Sequence, residues 1–354
     1  MKICVLGAGD VGRLTAYDLS KNYEVSIADK SKERLKLAEN IAATFEFNAL
    51  RFEDLVKFMK KFDLIIGALP GKFGFSTLKA AIKAKKDIVD VSFMPENPLE
   101  LDDRAKEAGI RMIVDAGFAP GLSNILMGHI EAVLGKLDEG VINVGGLPKN
   151  PKPPLYYKVV FSPYDLIEEY TRPARIIRKG RLIRVDPLED IKQLKIRDFE
   201  FESFVSDGLR TLLTTVEAEN LYENTLRWKG HLEKMKVLKE LGFFKQENLD
   251  YTMKVILPLM QFEGGDFSTM EVYGRSGDQK IKYFMYDEAQ RGFTSMARST
   301  GYITAIAARL LLKYEFEPGV IPPERFGMED DLFDEIIKEV KKRNIILEES
   351  HKCL

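Results

Sequence analysis

The chain has 354 residues, enough for two domains at roughly 100–200 residues each. Lys and Arg number 53 and Asp and Glu 55, so the net charge is −2 and no basic excess exists to neutralise phosphates; this argues against a nucleic-acid partner. A 45% hydrophobic and 31% charged composition is that of a folded chain, and no apolar run reaches the roughly 18 residues of a membrane helix.

The N-terminus opens KICVLGAG, a strand that lacks a signal peptide's long apolar region. There are two cysteines, Cys4 and Cys353, too few for a disulfide framework or a Cys-rich zinc site. The expected compartment is the cytoplasm. Few Gln, few Cys and many charges fit a thermophile.

Through residue 117, short β-like runs alternate with helical patterns. The runs are 2–7, 24–29, 43–49, 63–69, 87–92 and 111–117. They are continuously apolar, so both faces should be buried, as in a parallel sheet with helices on each side. A helix follows from Pro120 to Gly135, then a strand from Gly140 to Gly146. The stretch LPKNPKPP must be an extended loop. Segments 156–161, 176–185, 197–204, 251–262 and 267–275 have the pattern of antiparallel strands, and RKGRLIR carries a hairpin's Gly turn. Helical patterns cover Glu223 to Leu241 and Gly292 to Lys313, the second with a small-residue stripe at Ala297, Gly301, Ala305 and Ala308. The tail holds an amphipathic helix, MEDDLFDEIIKEVKKR, acidic at its start and basic at its end. His351 is expected in a frayed end.

Gly7-Ala8-Gly9-Asp10-Val11-Gly12 is a G-x-G-x-x-G between a strand and a helix. Gly7 makes the tight turn, Gly9 lets a pyrophosphate approach the backbone, and Gly12 lets helix pack on strand. Asp29 ends the second strand, where a carboxylate accepts hydrogen bonds from an adenosine ribose. It favours NAD over NADP, because it repels a 2′-phosphate. Lys30 and Lys32 follow it and keep NADP open. Two more strand ends face the same edge. Ala68, Leu69 and Pro70, flanked by Gly67 and Gly71, let backbone lie close to the cofactor's second half. Ser92 is placed for the nicotinamide ribose and Phe93 for the ring or the substrate.

Asp115 ends the sixth strand in VDAGFAPGLSN, followed by Gly117. A carboxylate there would stabilise a cationic iminium or take a proton. Arg227 and His231, if helical, share a face at i, i+4 spacing. Arginine clamps a carboxylate with two prongs, and histidine exchanges a proton near neutrality. His129 reads as a helix-face residue. Three scattered histidines give no metal site.

GAGDVG, GALPG, DVSFM, VDAGFAPGLSN, TLRWKGH and ARSTGYITAIAARLLL, in this order, resemble the saccharopine dehydrogenase-like family along nearly the whole chain. Within it, the length and VDAGFAPGLSN look most like the L-lysine 6-dehydrogenases. The family pattern has Pro where this chain has Lys229. The resemblance implies an α/β fold: a Rossmann doubly wound parallel sheet, residues 1–120 and 295–354, and a second α+β substrate and dimerisation domain, 121–294, with a large mixed or antiparallel sheet. It implies a homodimer and an amino-acid substrate. The implied reaction is NAD-dependent oxidative deamination of the ε-amino group of L-lysine, with Asp115 and His231 handling protons and Arg227, Phe93 and Gly117 contacting substrate. Alternatives are a saccharopine reductase, whose substrate would want more cations such as Arg172, Arg175 and Arg178, and a carboxyspermidine-type dehydrogenase. A different class is an NAD-binding redox sensor without turnover.

Overall fold

The computed structural model describes residues 1–353. Six strands come first: β1 (Lys2–Leu6), β2 (Glu24–Asp29), β3 (Ala43–Glu46), β4 (Leu64–Gly67), β5 (Asp87–Asp90) and β6 (Arg111–Ile113). Eight follow: β7 (Glu139–Pro148), β8 (Ala174–Arg178), β9 (Arg181–Val185), β10 (Lys192–Ile196), β11 (Phe199–Ser206), β12 (Leu221–Arg227), β13 (Asp266–Ser276) and β14 (Gln279–Glu288). The last are β15 (Gly319–Ile321) and β16 (Ile346–Cys353). The chain divides into two compact units, Met1–Ile125 with Ala297–Arg343, and Leu126–Met296 with the segment from Asn344 on.

The first unit is built on a seven-stranded parallel sheet, ordered β15-β6-β5-β4-β1-β2-β3. The order reverses at β1, where β2 lies on one side and β4 on the other. Open α/β sheets bind ligands at such a switch, outside the strands' carboxyl ends. Ile3, Cys4, Val5 and Leu6 are buried, as their apolar run requires. The small-residue stripe works as its spacing suggests. Gly301 of the Ser295–Lys313 helix comes so close to the Asp10–Leu19 helix that a Cβ would lie 3.0 Å from the Val11 oxygen. Thr15 donates across this contact to the Gly301 carbonyl at 3.2 Å. Asp18, buried at the end of the same helix, takes Arg309 at 2.6 Å and Arg343 at 2.5 Å.

The second unit carries a nine-stranded sheet whose main path is β10-β11-β12-β7-β13-β14-β16, with β8 and β9 appended beside β12. It is mixed rather than antiparallel, because β12 runs parallel to β7. The hairpin read from RKGRLIR is β8–β9, and Lys179 and Gly180 turn it with φ of 52° and 68°. An aromatic layer of Phe199, Phe201, Trp228, Phe267 and Tyr286 packs together, with Phe199 stacked on Phe267 at 5.2 Å.

Several expected elements differ. Residues 251–262 form the end of a helix, Gln246–Ile256, and a 3-10 turn rather than a strand. Met253, Ile256 and Met260 are buried at three- and four-residue spacing, a helical period that competes with the apparent alternation. Residues 156–161 are irregular chain packed by Leu155, Tyr157 and Val160. The Glu223–Leu241 pattern is not one helix. β12 ends at Arg227, Gly230 turns the chain at φ 85°, and a helix begins at Leu232. His351 is not frayed: it lies in β16, paired with Ile281.

Candidate active site

The nucleotide cradle is made of backbone. A Cβ on Gly7 would lie 2.3 Å from the Ala68 oxygen, and one on Gly12 would lie 2.0 Å from the Gly7 oxygen. Gly7 also takes φ of 108°, which only glycine adopts without strain. Gly9 differs, since a Cβ there would meet nothing within 4 Å. It caps the Asp10–Leu19 helix without a side chain, which leaves the approach to the helix N-terminus open to an anion. Asp10 and Val11 form the first helical turn, and Asp10 pairs with Arg13.

Asp29 ties this loop to the end of β2. One carboxylate oxygen accepts from the Ala8 N–H and the other from the Ser31 N–H, both at 2.8 Å. Each oxygen keeps a second lone pair for a ribose hydroxyl. Beside it, Lys32 pairs with Glu46 at 3.3 Å. The glycines, helix end and carboxylate therefore fit a dinucleotide.

The second strand-end loop, Ala68-Leu69-Pro70, is held by an Ala68 N–H to Leu6 oxygen bond of 2.9 Å and leads into a helix at Gly71. The third contains an arrangement missed in the sequence. Asp90 is fully buried, accepts the Ser92 N–H at 2.9 Å and its hydroxyl at 3.2 Å, and fills the space a Gly67 Cβ would take. Ser92 is itself buried, so its hydroxyl orders this turn first. Phe93 is part-exposed, and its carbonyl abuts Gly71.

Asp115 follows β6, is buried, and adopts φ of 50°. A left-handed non-glycine residue is costly and recurs where a site fixes a side chain. Gly117 and Gly121 touch through backbone, with Gly117 donating to the Pro120 oxygen at 3.2 Å. Thr304 donates to the Ala116 oxygen at 2.9 Å, fixing the same loop.

In the second unit, Arg227 and His231 do come together, but through partners distant in sequence. Arg227 is 1% exposed. Its Nε donates to the Tyr170 hydroxyl at 3.0 Å, Nη1 to the Leu226 oxygen at 2.9 Å, and Nη2 to Glu169. Its guanidinium lies 4.5 Å from the Tyr157 ring centre. Tyr170 lies 2.8 Å from His231 Nε2, and His231 Nδ1 lies 2.6 Å from the Leu155 oxygen. Only one proton arrangement satisfies this chain: Nδ1–H donates to Leu155, and Tyr170 donates to Nε2. Burial first, then the Arg227 charge, pushes the His231 pKa down to about 3. His231 is therefore a neutral acceptor at pH 7. The expectation that it exchanges a proton near neutrality is corrected by its surroundings. Burial raises the Tyr157 and Tyr170 phenols and the Glu169 carboxyl, although Arg227 opposes it in each.

Glu223 and Thr225 alternate with Arg227 along β12. Glu223 accepts from Ser206 at 2.9 Å, and burial pushes its pKa up to about 8. His129 packs edge-on against Tyr283. Among the described residues no group of three His, Cys, Asp or Glu could hold a metal, and no helix is long and apolar enough to cross a membrane.

A profile described as the saccharopine dehydrogenase NADP binding domain matches residues 3–113, and the saccharopine dehydrogenase C-terminal domain matches residues 117–346. The chain belongs to the saccharopine dehydrogenase family. Saccharopine dehydrogenase [NADP(+), L-glutamate-forming] of Pyricularia oryzae is 27% identical over 72% of this chain and 60% of its own length. The Saccharomyces cerevisiae protein of that name is 24% identical over 92% of this chain and 81% of its own. Carboxyaminopropylagmatine dehydrogenase of Synechocystis is 22% identical over 88% and 89%. The chain spans 60% of the first of these relatives and 20% of the Arabidopsis thaliana alpha-aminoadipic semialdehyde synthase. The fold is that of apo saccharopine dehydrogenase (L-Glu forming) from Saccharomyces cerevisiae, with a TM-score of 0.81 at 20% identity over 99% of both chains.

Proposed function

We propose that the protein is an NAD-dependent amino-acid dehydrogenase that oxidises the ε-carbon of L-lysine. Hydride loss leaves a cationic iminium, water adds to its carbon and the ε-nitrogen leaves as ammonia. The resulting 6-semialdehyde cyclises with loss of water to piperideine-6-carboxylate. One observation carries the choice of lysine over saccharopine. Saccharopine has three carboxylates, whereas one guanidinium, Arg227, is set among Tyr157, Tyr170 and His231. Arg175 is paired with Asp207 at 2.8 and 2.9 Å and Arg172 with Glu168 at 3.3 Å, as Arg227 is with Glu169. Arg227, stacked among aromatic rings, suits a single α-carboxylate.

A bound nicotinamide would supply the hydride acceptor. Gly7, Gly9 and Gly12 admit the pyrophosphate, and Asp29 takes the ribose hydroxyls in preference to a 2′-phosphate. Asp115 accepts a proton from the substrate ammonium, whose reference pKa is near 10.4, and then faces the cationic iminium. Arg227 binds the α-carboxylate, and Tyr170 with His231 holds the guanidinium in place.

The relatives' names favour a second reading, oxidation of saccharopine with NADP. Steady-state reduction of NAD or NADP with L-lysine or saccharopine separates the two. Turnover of lysine with NAD is expected. Turnover of saccharopine alone, or equal kcat/KM for both cofactors, overturns the substrate or the cofactor respectively. Reduced-cofactor binding with no turnover of any amine would favour the sensor.

A further inference from the structure

Glu169 is the one partner of the Arg227 guanidinium that reaches the surface. Its side chain is 20% exposed, against 2% for Arg227. The other two bonds of the guanidinium are internal. Nε is fixed by the Tyr170–His231 chain, and Nη1 by the Leu226 carbonyl. Rings crowd the guanidinium as well: the Tyr157 ring centre lies 4.5 Å from it and those of Tyr170 and Phe204 lie 5.7 Å from it, and the buried Tyr157 hydroxyl has no hydrogen-bond partner. A carboxylate arriving from solvent thus has one bond it can replace, the bond to Glu169.

Replacement has a chemical consequence. Glu169 loses its cation when another carboxylate takes Nη2. A freed, part-buried carboxylate is costly unless a new cation arrives with the ligand. An α-amino acid brings that cation on the carbon that also bears its carboxylate. A simple carboxylic acid or a diamine brings one charge and not the other.

We propose that Arg227 and Glu169 form a counter-charged pair that recognises an α-amino-acid zwitterion, with Arg227 exchanging Glu169 for the ligand's carboxylate and Glu169 taking its α-ammonium. Glu169 is then the specificity residue for the α-amino group. This rests on the reading of Arg227 as the α-carboxylate site and is indifferent to whether lysine or saccharopine is the substrate, since both carry that end group.

The test is equilibrium binding to the full-length protein saturated with NAD, by calorimetry, independent of turnover. The probes are L-lysine, saccharopine, 6-aminohexanoate, which lacks the α-ammonium, and cadaverine, which lacks the carboxylate. Wild type is expected to bind lysine or saccharopine at least about tenfold more tightly than the last two. Glu169→Gln is expected to weaken the amino acid by about tenfold or more, the weight of a charged hydrogen bond, and to strengthen 6-aminohexanoate, which no longer has an ion pair to displace. Glu169→Asp should restore part of the preference. Equal changes for all four probes, no change in the preference, or no binding of either amino acid by wild type overturns the proposal. Binding of saccharopine alone leaves it standing while refuting lysine as substrate. Thermal melting of each variant confirms folding, and a variant that does not fold is replaced by the Asp substitution for the same comparison.

Discussion

The nucleotide cradle and the Arg227 cluster solve opposite problems. The cradle keeps side chains away: Gly7, Gly12 and Gly67 stand where a single methyl would enter a carbonyl or the Asp90 carboxylate. The cluster draws side chains in, burying one guanidinium against a carboxylate, two phenols and a neutral imidazole. The first is sensitive to volume and nearly indifferent to pH. The second is sensitive to charge and protonation.

The largest effect should come from the cluster. Arg227→Ala removes the cation from a buried pair, and breaking such a pair costs about 3–5 kcal/mol. The lower end is expected, since Glu169 is 20% exposed and can be partly hydrated. A drop in thermal midpoint with loss of amino-acid binding and retention of NAD binding checks it; equal loss of both ligands would dissolve the distinction between the regions.

Gly12→Ala comes next. Its Cβ would sit 2.0 Å from the Gly7 oxygen, an overpacking worth about 1–3 kcal/mol. Cofactor affinity, measured by fluorescence titration, should fall at every pH alike. Gly9→Ala meets open space and should lower it less, through the pyrophosphate alone.

Asp18 sharpens the contrast inside the first unit. Burial alone would raise its carboxyl, but hydrogen bonds and charges from Arg343 and Arg309 outweigh it and hold the pKa below its ordinary value. A depressed carboxyl contributes stability above its unfolded pKa, near 3.9, and loses it as pH falls below that. Asp18→Asn should therefore cost about 1.5–3 kcal/mol at pH 7 and progressively less in acid.

The smallest effects are two opposed slopes in the second unit. Glu223, raised to about 8, holds a proton in the fold that the unfolded chain releases near pH 4.3, so its contribution to stability is lost as pH rises between them. His231, lowered to about 3, binds its proton only in the unfolded chain near pH 6.5, so stability is lost as pH falls from there. Glu223→Gln should match wild type near pH 4 and melt a few degrees higher near pH 8, by calorimetric scans. Identical profiles would contradict the assignment.

The two regions also differed in legibility. The centre of the cradle, Gly7 to Gly12, lies within six consecutive residues, and its spacing encodes its geometry. In the first unit β1, β2, β4, β5 and β6 were legible because burial leaves apolar runs. The edge strand β3 is largely exposed and does not have both faces buried, and the three-residue β15 escaped. In the second unit Arg227 and His231 were nameable, but Tyr170 and Glu169 lie 57 and 58 residues from Arg227 in sequence. Pairing of that range leaves no local period. One signal was present: Leu221, Glu223, Thr225 and Arg227 alternate along one strand face, three polar residues facing inward. A helical reading of the same stretch concealed it. The neutral state of His231 is a property of burial and a neighbouring charge, and neither is written at position 231.

The most direct measurement follows the nitrogen and the hydride together. Purified protein would be given NAD and L-lysine deuterated at the ε-carbon, and reduced cofactor, deuterium transfer and ammonia would be quantified. Ammonia equal to reduced cofactor, with deuterium carried onto the nicotinamide, is the predicted result. No reaction with lysine, together with saccharopine yielding glutamate and no ammonia, would contradict it.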